Sequence, residues 1–271
     1  MLGNLLKHEF WATGRIFLPL YIAVLALGGI IGIMGLFNLP DLGIAAMSLW
    51  VFAIVGYVFA LVAIFVVTFI VIVVRFYRNL LGQEGYLMFT LPVSRHQLIL
   101  SKLITASAWH IATGIVASIS VAIAIAAWIS PEFWTNNMWL FEAAIAEFSR
   151  SFDQGGLMLA MYALSIPLGI VSSILTAYVA MAIGQLSNTG RIAVSIAAYF
   201  GISMLVGLIS FIISWTILLV TGQPMYGTFD LMDAGQTTAI SLAVSNLLTL
   251  ITCVAYYWGT EYLLRKRLNM V

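Results

Sequence analysis

The chain has 271 residues, of which 63% are hydrophobic and 8% charged, with a formal net charge of +1 and a mean hydropathy of +1.09. No soluble domain of this size hides that much apolar surface, and near-neutral charge gives no case for nucleic acid as a partner. The single cysteine, Cys253, excludes an internal disulfide framework, and the lack of alternating segments of ~10 residues excludes a β-barrel; the class left is an all-α integral membrane protein.

Residues 1–14 fit an amphipathic helix lying along the membrane surface. At about 100° per residue Leu2, Leu5, Leu6 and Phe10 share one face, with Asn4 and Lys7 opposite. Glu9 falls in the middle of that apolar face. An unpaired carboxylate there is costly, so a basic partner is expected, with Arg75 and Arg78 as candidates. A glutamate reaching out to solvent is the alternative.

Six spans follow, over residues 16–37, 46–74, 98–129, 157–183, 192–220 and 238–264. Lys7 and Arg15 precede the first, which resembles a signal peptide in that respect, but its apolar run exceeds the ~7–15 residues of a signal core and lacks a small-residue cleavage site. Glycines at 28, 29, 32 and 35 leave it a face without side chains, and Gly28-x-x-x-Gly32 permits a neighbouring helix to come close.

The connection 75–97 gathers Arg75, Arg78, Glu84, Arg95 and, just beyond it, Lys102. Gly82 and Gly85 interrupt the helix that continues from the second span, and Pro92 disfavours helical geometry at Leu91. Ser94 and Gln97 have the S-x-x-Q spacing of a capping box that starts the third helix. Between these breaks, residues 84–90 are too short to hold a helix alone in water. They carry Tyr86, Leu87, Met88 and Phe89, so they read as an element that docks on a partner or folds back on the membrane or the bundle.

Ten of the eleven basic residues fall on the side of the termini and of this connection; Arg150 lies opposite, with Asp41, Glu132, Glu142, Glu147, Asp153, Asp230 and Asp233. The positive-inside rule therefore predicts cytoplasmic termini and outer loops at 131–156 and 221–237. Tryptophans 50, 128, 134, 139 and 215 fall at predicted outer ends, and Trp11 and Trp258 near inner ends, as an interfacial belt would.

No charged residue lies near a span centre, which argues against an ion-coupled carrier. His110, within the third span, reads as a hydrogen-bonding partner between helices. Span hydroxyls and amides such as Thr68, Thr113 and Asn246 read the same way. There is no H-E-x-x-H pattern, and none of the lysines stands in a Walker A motif.

Glu84-Gly85, the apolar run Leu87 to Leu91, Pro92-Val93-Ser94-Arg95 and Lys102 together resemble the loop between spans two and three of ABC-2 type exporter permeases. The opening LLKHEFWATGRIFLP is similar to the N-terminal segment of short permeases of that family, and six spans with both ends inside match it. Family loops carry more charge before the glycine; here Gln83 takes one of those places. The resemblance implies that 84–90 is a coupling helix, with Glu84, Gly85, Tyr86, Leu87, Met88, Phe89, Pro92, Ser94 and Arg95 contacting a separate ATP-binding cassette subunit. Lys7, Glu9 and Phe10 belong to the interfacial helix. It further implies a second permease chain, identical or related. ATP and Mg would sit in the partner ATPase, with no cofactor and no catalysis in this chain. The substrate path would lie at the permease interface, gated by outer loops 131–154 and 221–237, in a bacterial cell membrane. Charge-free spans favour an amphipathic or hydrophobic cargo: a peptide, an antibiotic or a lipid-like compound. The alternative is a membrane sensor or immunity component that sequesters a ligand without transporting it.

Overall fold

A computed structural model of the chain describes residues 2–37, 43–82, 94–126, 131–187, 190–221 and 231–268. Every regular element among them is a helix: α1 (Leu2–Leu36), α2 (Ile44–Phe76) with a π-helical turn at Tyr77–Leu81, α3 (Arg95–Ala126), α4 (Pro131–Gly184), α5 (Arg191–Thr221) and α6 (Leu231–Leu268). Six segments are long and apolar enough to cross a membrane: Gly3–Leu36, Ile44–Leu81, His96–Ala126, Leu159–Gly184, Arg191–Ile217 and Ser241–Arg265. Each overlaps one predicted span. Large apolar side chains such as Phe52, Phe59, Ile111 and Phe200 are exposed, as expected of groups whose solvent is lipid.

Three differences from the sequence expectation are local. The expected surface helix 1–14 is not a separate element, because α1 runs without interruption from Leu2 to Leu36. Nothing in the sequence stops it at residue 14: the first proline is Pro19, inside the helix, where a membrane helix tolerates the lost backbone bond. Residues 131–156, expected as an outer loop, are helical. Pro131 occupies the first helical position, where its missing N–H is no loss. The Ala- and Glu-rich stretch that follows has high helix propensity, which carries the chain through Gly155 and Gly156. In the other predicted outer loop, 231–237 already belong to α6 and 222–230 lie outside the described residues.

The chain forms two compact units, residues 1–75 with 100–144, and residues 76–99 with 145–271. In the first, α1 buries a stripe of Glu9, Thr13, Phe17, Tyr21, Val24 and Ile31, recurring every three or four residues as one helix face requires. Phe17, Tyr21, Val24 and Ile64 form one core cluster, with Trp109 and Val116 against it; Ile31, Tyr57 and Ala124 form a second. Thr13 meets Trp109, Tyr21 meets Thr113, and Val24 meets Ser120. Numbers rise together, so α1 and α3 run parallel. Thr68 meets Thr113 and Tyr57 meets Ser120, so α2 runs the other way, as consecutive spans must. At Gly28 α1 and α3 come close: a Cβ there would meet the Ser120 hydroxyl and stand 2.7 Å from the Ser120 carbonyl oxygen. The predicted glycine contact is therefore real at Gly28.

In the second unit α4 is buried without a break from Ile174 to Ala182, the signature of a helix surrounded by others. Phe76 stacks on Tyr178 with ring centroids 3.7 Å apart. Asn246 of α6 bonds Ser165 and the Met161 carbonyl of α4, and Gly259 lies against Val179. Here too the numbers rise together, so α4 and α6 are parallel.

Candidate functional site

The polar groups that distinguish this chain from a plain apolar bundle lie at the two ends of the α2–α3 connection. Its upstream end is Gly82. The Gly82 N–H donates to the Tyr77 carbonyl at 2.8 Å, closing a π-helical ring, and the backbone then turns extended (φ −89°, ψ −170°). A side chain there would stand 2.9 Å from the Arg78 carbonyl oxygen, which favours glycine. The predicted break at Gly82 is therefore where α2 ends.

The downstream end is the predicted capping box. The Gln97 N–H donates to Ser94 Oγ and the Ser94 N–H to Gln97 Oε1, each at 3.4 Å. These are long bonds, but reciprocal, as the motif requires. Two residues in, His96 places Nε2 3.0 Å from Glu261 Oε1 and Nδ1 3.1 Å from the Tyr257 hydroxyl, its ring stacked on Tyr257. This ties the start of α3 to α6 within the second unit.

In the first unit, both flanks of the connection converge on Glu9. Arg75 Nη2 lies 3.4 Å from Glu9 Oε2, and Lys102 Nζ donates to Glu9 Oε1. Glu9 is buried and the Lys102 side chain is only 5% exposed. A carboxylate so enclosed needs such partners, because removing an ion from water costs several kcal/mol, about the amount that close cations return. The partner predicted for Glu9 is thus found in Arg75; Arg78 lies one turn on. Lys102 is a second partner that the sequence reading assigned only to the loop.

A hydrogen-bonded column continues from this cluster along α1 and α3. The Trp109 indole donates to Thr13 Oγ1 at 2.7 Å, and the Thr13 hydroxyl donates to the Glu9 carbonyl at 2.7 Å. The Tyr21 hydroxyl bonds Thr113 at 2.9 Å, and Thr113 bonds Thr68 at 3.1 Å. Tyr57 and Ser120 pair at 2.8 Å, and Ser120 Oγ donates to the Val24 carbonyl at 2.8 Å. Phe10 and Phe17 pack on Trp109. The role expected for Thr68, Thr113 and Asn246 is therefore met. His110 is different: its Nδ1 finds no partner, and it makes no hydrogen bond to another helix among the described residues. Trp109 and Thr113 take the face turned to α1, and His110 stands a quarter-turn away from it.

Of the residues expected to couple, Glu84, Gly85, Tyr86, Leu87, Met88, Phe89 and Pro92 lie outside the described residues, as does the side chain of Arg95. Ser94 is the cap described above, Lys7 is exposed, and Phe10 is half-buried against Trp109. Trp109 and the His96–Glu261–Tyr257 group are the contributors that sequence reasoning missed. Among the described residues, no three His, Cys, Asp or Glu side chains come together as a metal site. Comparison with family models, with curated proteins and with solved structures finds no match to this chain.

Proposed function

We propose that the chain is the membrane-spanning permease subunit of an ATP-binding cassette exporter, moving an amphipathic or hydrophobic compound out of a bacterial cell. A separate ATPase subunit drives it, and a second permease chain completes the pathway. The observation that carries this reading is the convergence of Arg75 and Lys102, the two flanks of the α2–α3 connection, on the buried Glu9 of α1. A force applied to residues 84–90 by an ATPase reaches α1 through two ion pairs. The column Thr13–Trp109 and Tyr21–Thr113–Thr68 then distributes it over three helices. The resemblance of Glu84-Gly85 and Pro92-Val93-Ser94-Arg95 to a coupling segment supports the same assignment, and the distribution of basic residues favours a cytoplasmic side for that segment by the positive-inside rule.

The test is reconstitution in vesicles with the ATPase that co-purifies with the chain, reading ATP hydrolysis and movement of fluorescent lipid and amphipathic-peptide probes together. Glu84→Ala and Arg95→Ala are expected to leave hydrolysis running while transport falls. Failure of any ATPase to co-purify, or unchanged transport in both variants, rejects the coupling role.

A further inference from the structure

Four apolar segments end at one place, and the residues at those ends all belong to the second unit. The segments Ile44–Leu81, Leu159–Gly184 and Ser241–Arg265 finish there, and Arg191–Ile217 begins there. Because apolar segments stop where the hydrocarbon layer stops, their common end marks a membrane–water boundary. At that level lies a cavity of about 210 Å³, whose walls include Leu80, Leu81, Gln185, Leu186, Arg191 and Leu264. It is several times the ~30 Å³ share of one water and below the ~300 Å³ at which pockets for drug-sized molecules begin. That volume suits a small polar group rather than a whole cargo molecule.

The polar equipment of the cavity is one-sided. Gln185 is 6% exposed, and its Nε2 has no acceptor. A buried amide donor without a partner costs about 1–3 kcal/mol, so a ligand acceptor there recovers a real penalty. Arg191 also lines the cavity and brings a cationic side chain to it, and among the described residues no acidic one lines it. Arg191 is also the first residue of the 31-residue α5, and Gly190 (φ +71°) makes the turn that leads into it. The first bond of that helix runs from the Val194 N–H to the Gly190 carbonyl. The preceding N–H groups have no acceptor within the helix, and the helix dipole there favours negative charge. An amide donor, a guanidinium and a helix N-terminus together select an anion with several acceptor oxygens. The remaining walls are leucines and Ala182, and Leu186 is exposed, which gives an acyl stem an apolar surface to follow.

We propose that this cavity binds the phosphate of an anionic membrane lipid, held by Gln185, Arg191 and the start of α5, with its acyl chains passing Leu186. The site uses none of the residues assigned above to the ion cluster or to coupling, and it stands whether or not the chain is an exporter.

The test uses the full chain in vesicles containing equal phosphatidylglycerol and phosphatidylcholine, released and weighed intact by native mass spectrometry. The wild-type chain is expected to retain phosphatidylglycerol preferentially. Arg191→Gln should reduce that preference about tenfold, the equivalent of one charge-assisted hydrogen bond, and Gln185→Leu should reduce it several-fold. Melting in pure phosphatidylcholine separates lost binding from lost fold, since both variants should match the wild type there. Should Gln185→Leu fail to fold, Arg191→Gln, at an exposed position, carries the test. Equal retention of the two lipids by the wild type, or a preference that Arg191→Gln leaves intact, overturns the proposal. Inorganic phosphate alone stabilising the chain as much as phosphatidylglycerol does would make the ligand a soluble anion and overturn the lipid assignment.

Discussion

In the first unit, side chains bond from one helix to the next: Tyr21 to Thr113, Thr68 to Thr113, Tyr57 to Ser120, and Trp109 to Thr13. In the second, most hydroxyls bond back to their own helix: Thr176 to the Ser172 carbonyl, Ser173 to that of Ile170, Thr252 to that of Thr249 and Thr260 to that of Tyr256. Ser165 with Asn246 and Tyr257 with His96 are cross-helix exceptions. Packing there rests instead on small residues, Ala177, Ala180, Ala182 and Gly184 on α4, and on the Phe76–Tyr178 stack. Lipid is as apolar as leucine, so the hydrophobic effect does not choose among helix pairings inside a membrane. Directional bonds do so in one unit and steric fit in the other. They respond differently to damage, and substitutions at Glu9, at close-packed glycines and at buried threonines expose the difference.

The largest effect is expected at Glu9. Glu9→Gln leaves Lys102, 5% exposed, and Arg75 without their shared counter-charge. Removing one member of a buried ion cluster costs about 3 kcal/mol or more, so the melting temperature in detergent should fall further than for any other substitution considered. Adding Lys102→Met should recover part of the loss. A wild-type melting temperature for Glu9→Gln would mean that the cluster is solvated and holds nothing.

Close approach comes next, and it appears in both units. At Gly28 an added Cβ meets the Ser120 hydroxyl and stands 2.7 Å from its carbonyl oxygen; at Gly184 one meets the Ser195 hydroxyl and stands 2.6 Å from the Arg191 carbonyl oxygen. Backbone oxygens do not yield as a side chain does, so Gly28→Ala and Gly184→Ala should each cost roughly 1–3 kcal/mol by overpacking. Gly29→Ala, with nothing within 4 Å of the new Cβ, is the control and should melt with the wild type. Removing the hydroxyl as well, in Gly28→Ala with Ser120→Ala, should restore little, because the carbonyl remains and Tyr57 loses its partner.

These sites differ in how far the sequence disclosed them. Six spans, the stop at Gly82, the cap at Ser94–Gln97 and the need of a buried Glu9 for a cation, Arg75 or Arg78, follow from short-range rules: apolar length, missing side chains, donor spacing and the cost of a buried charge. Lys102 stayed hidden because a lysine at a span entrance already has a full explanation as a topological charge. Trp109 stayed hidden because an aromatic residue in an apolar run carries no period of its own; only the third-dimension neighbour, Thr13, shows what its indole does. The helix over 131–156 was missed because charge alone assigned it to water, and a helix with Glu142 and Glu147 on it is still a helix. Gly28 was suggested by its spacing, but Gly184 was not, since its constraint comes from a turn that reverses the chain after it.

The sharpest pair comes from two buried threonines whose neighbourhoods differ in one respect. Thr113 is fully buried and its hydroxyl bonds Tyr21 of α1 and Thr68 of α2. Thr113→Val keeps the shape and removes the bonds to both partners, leaving Tyr21 with the Trp109 carbonyl and Thr68 with the Ile64 carbonyl, so it should cost about 1 kcal/mol, the scale of hydrogen bonds between membrane helices. Thr68→Val measured alone and in combination should show a positive coupling with it, as residues sharing a bond do. Thr260 is equally buried, but among the described residues its hydroxyl bonds only the Tyr256 carbonyl four residues back. That carbonyl is an acceptor of its own helix, and a back-bonded threonine bends a helix slightly rather than joining it to another. Thr260→Val should therefore change stability by less than about 0.5 kcal/mol, with either sign. Equal losses at the two threonines would show that the second unit too is held by polar contacts between helices, and that the division drawn between directional and steric packing is wrong.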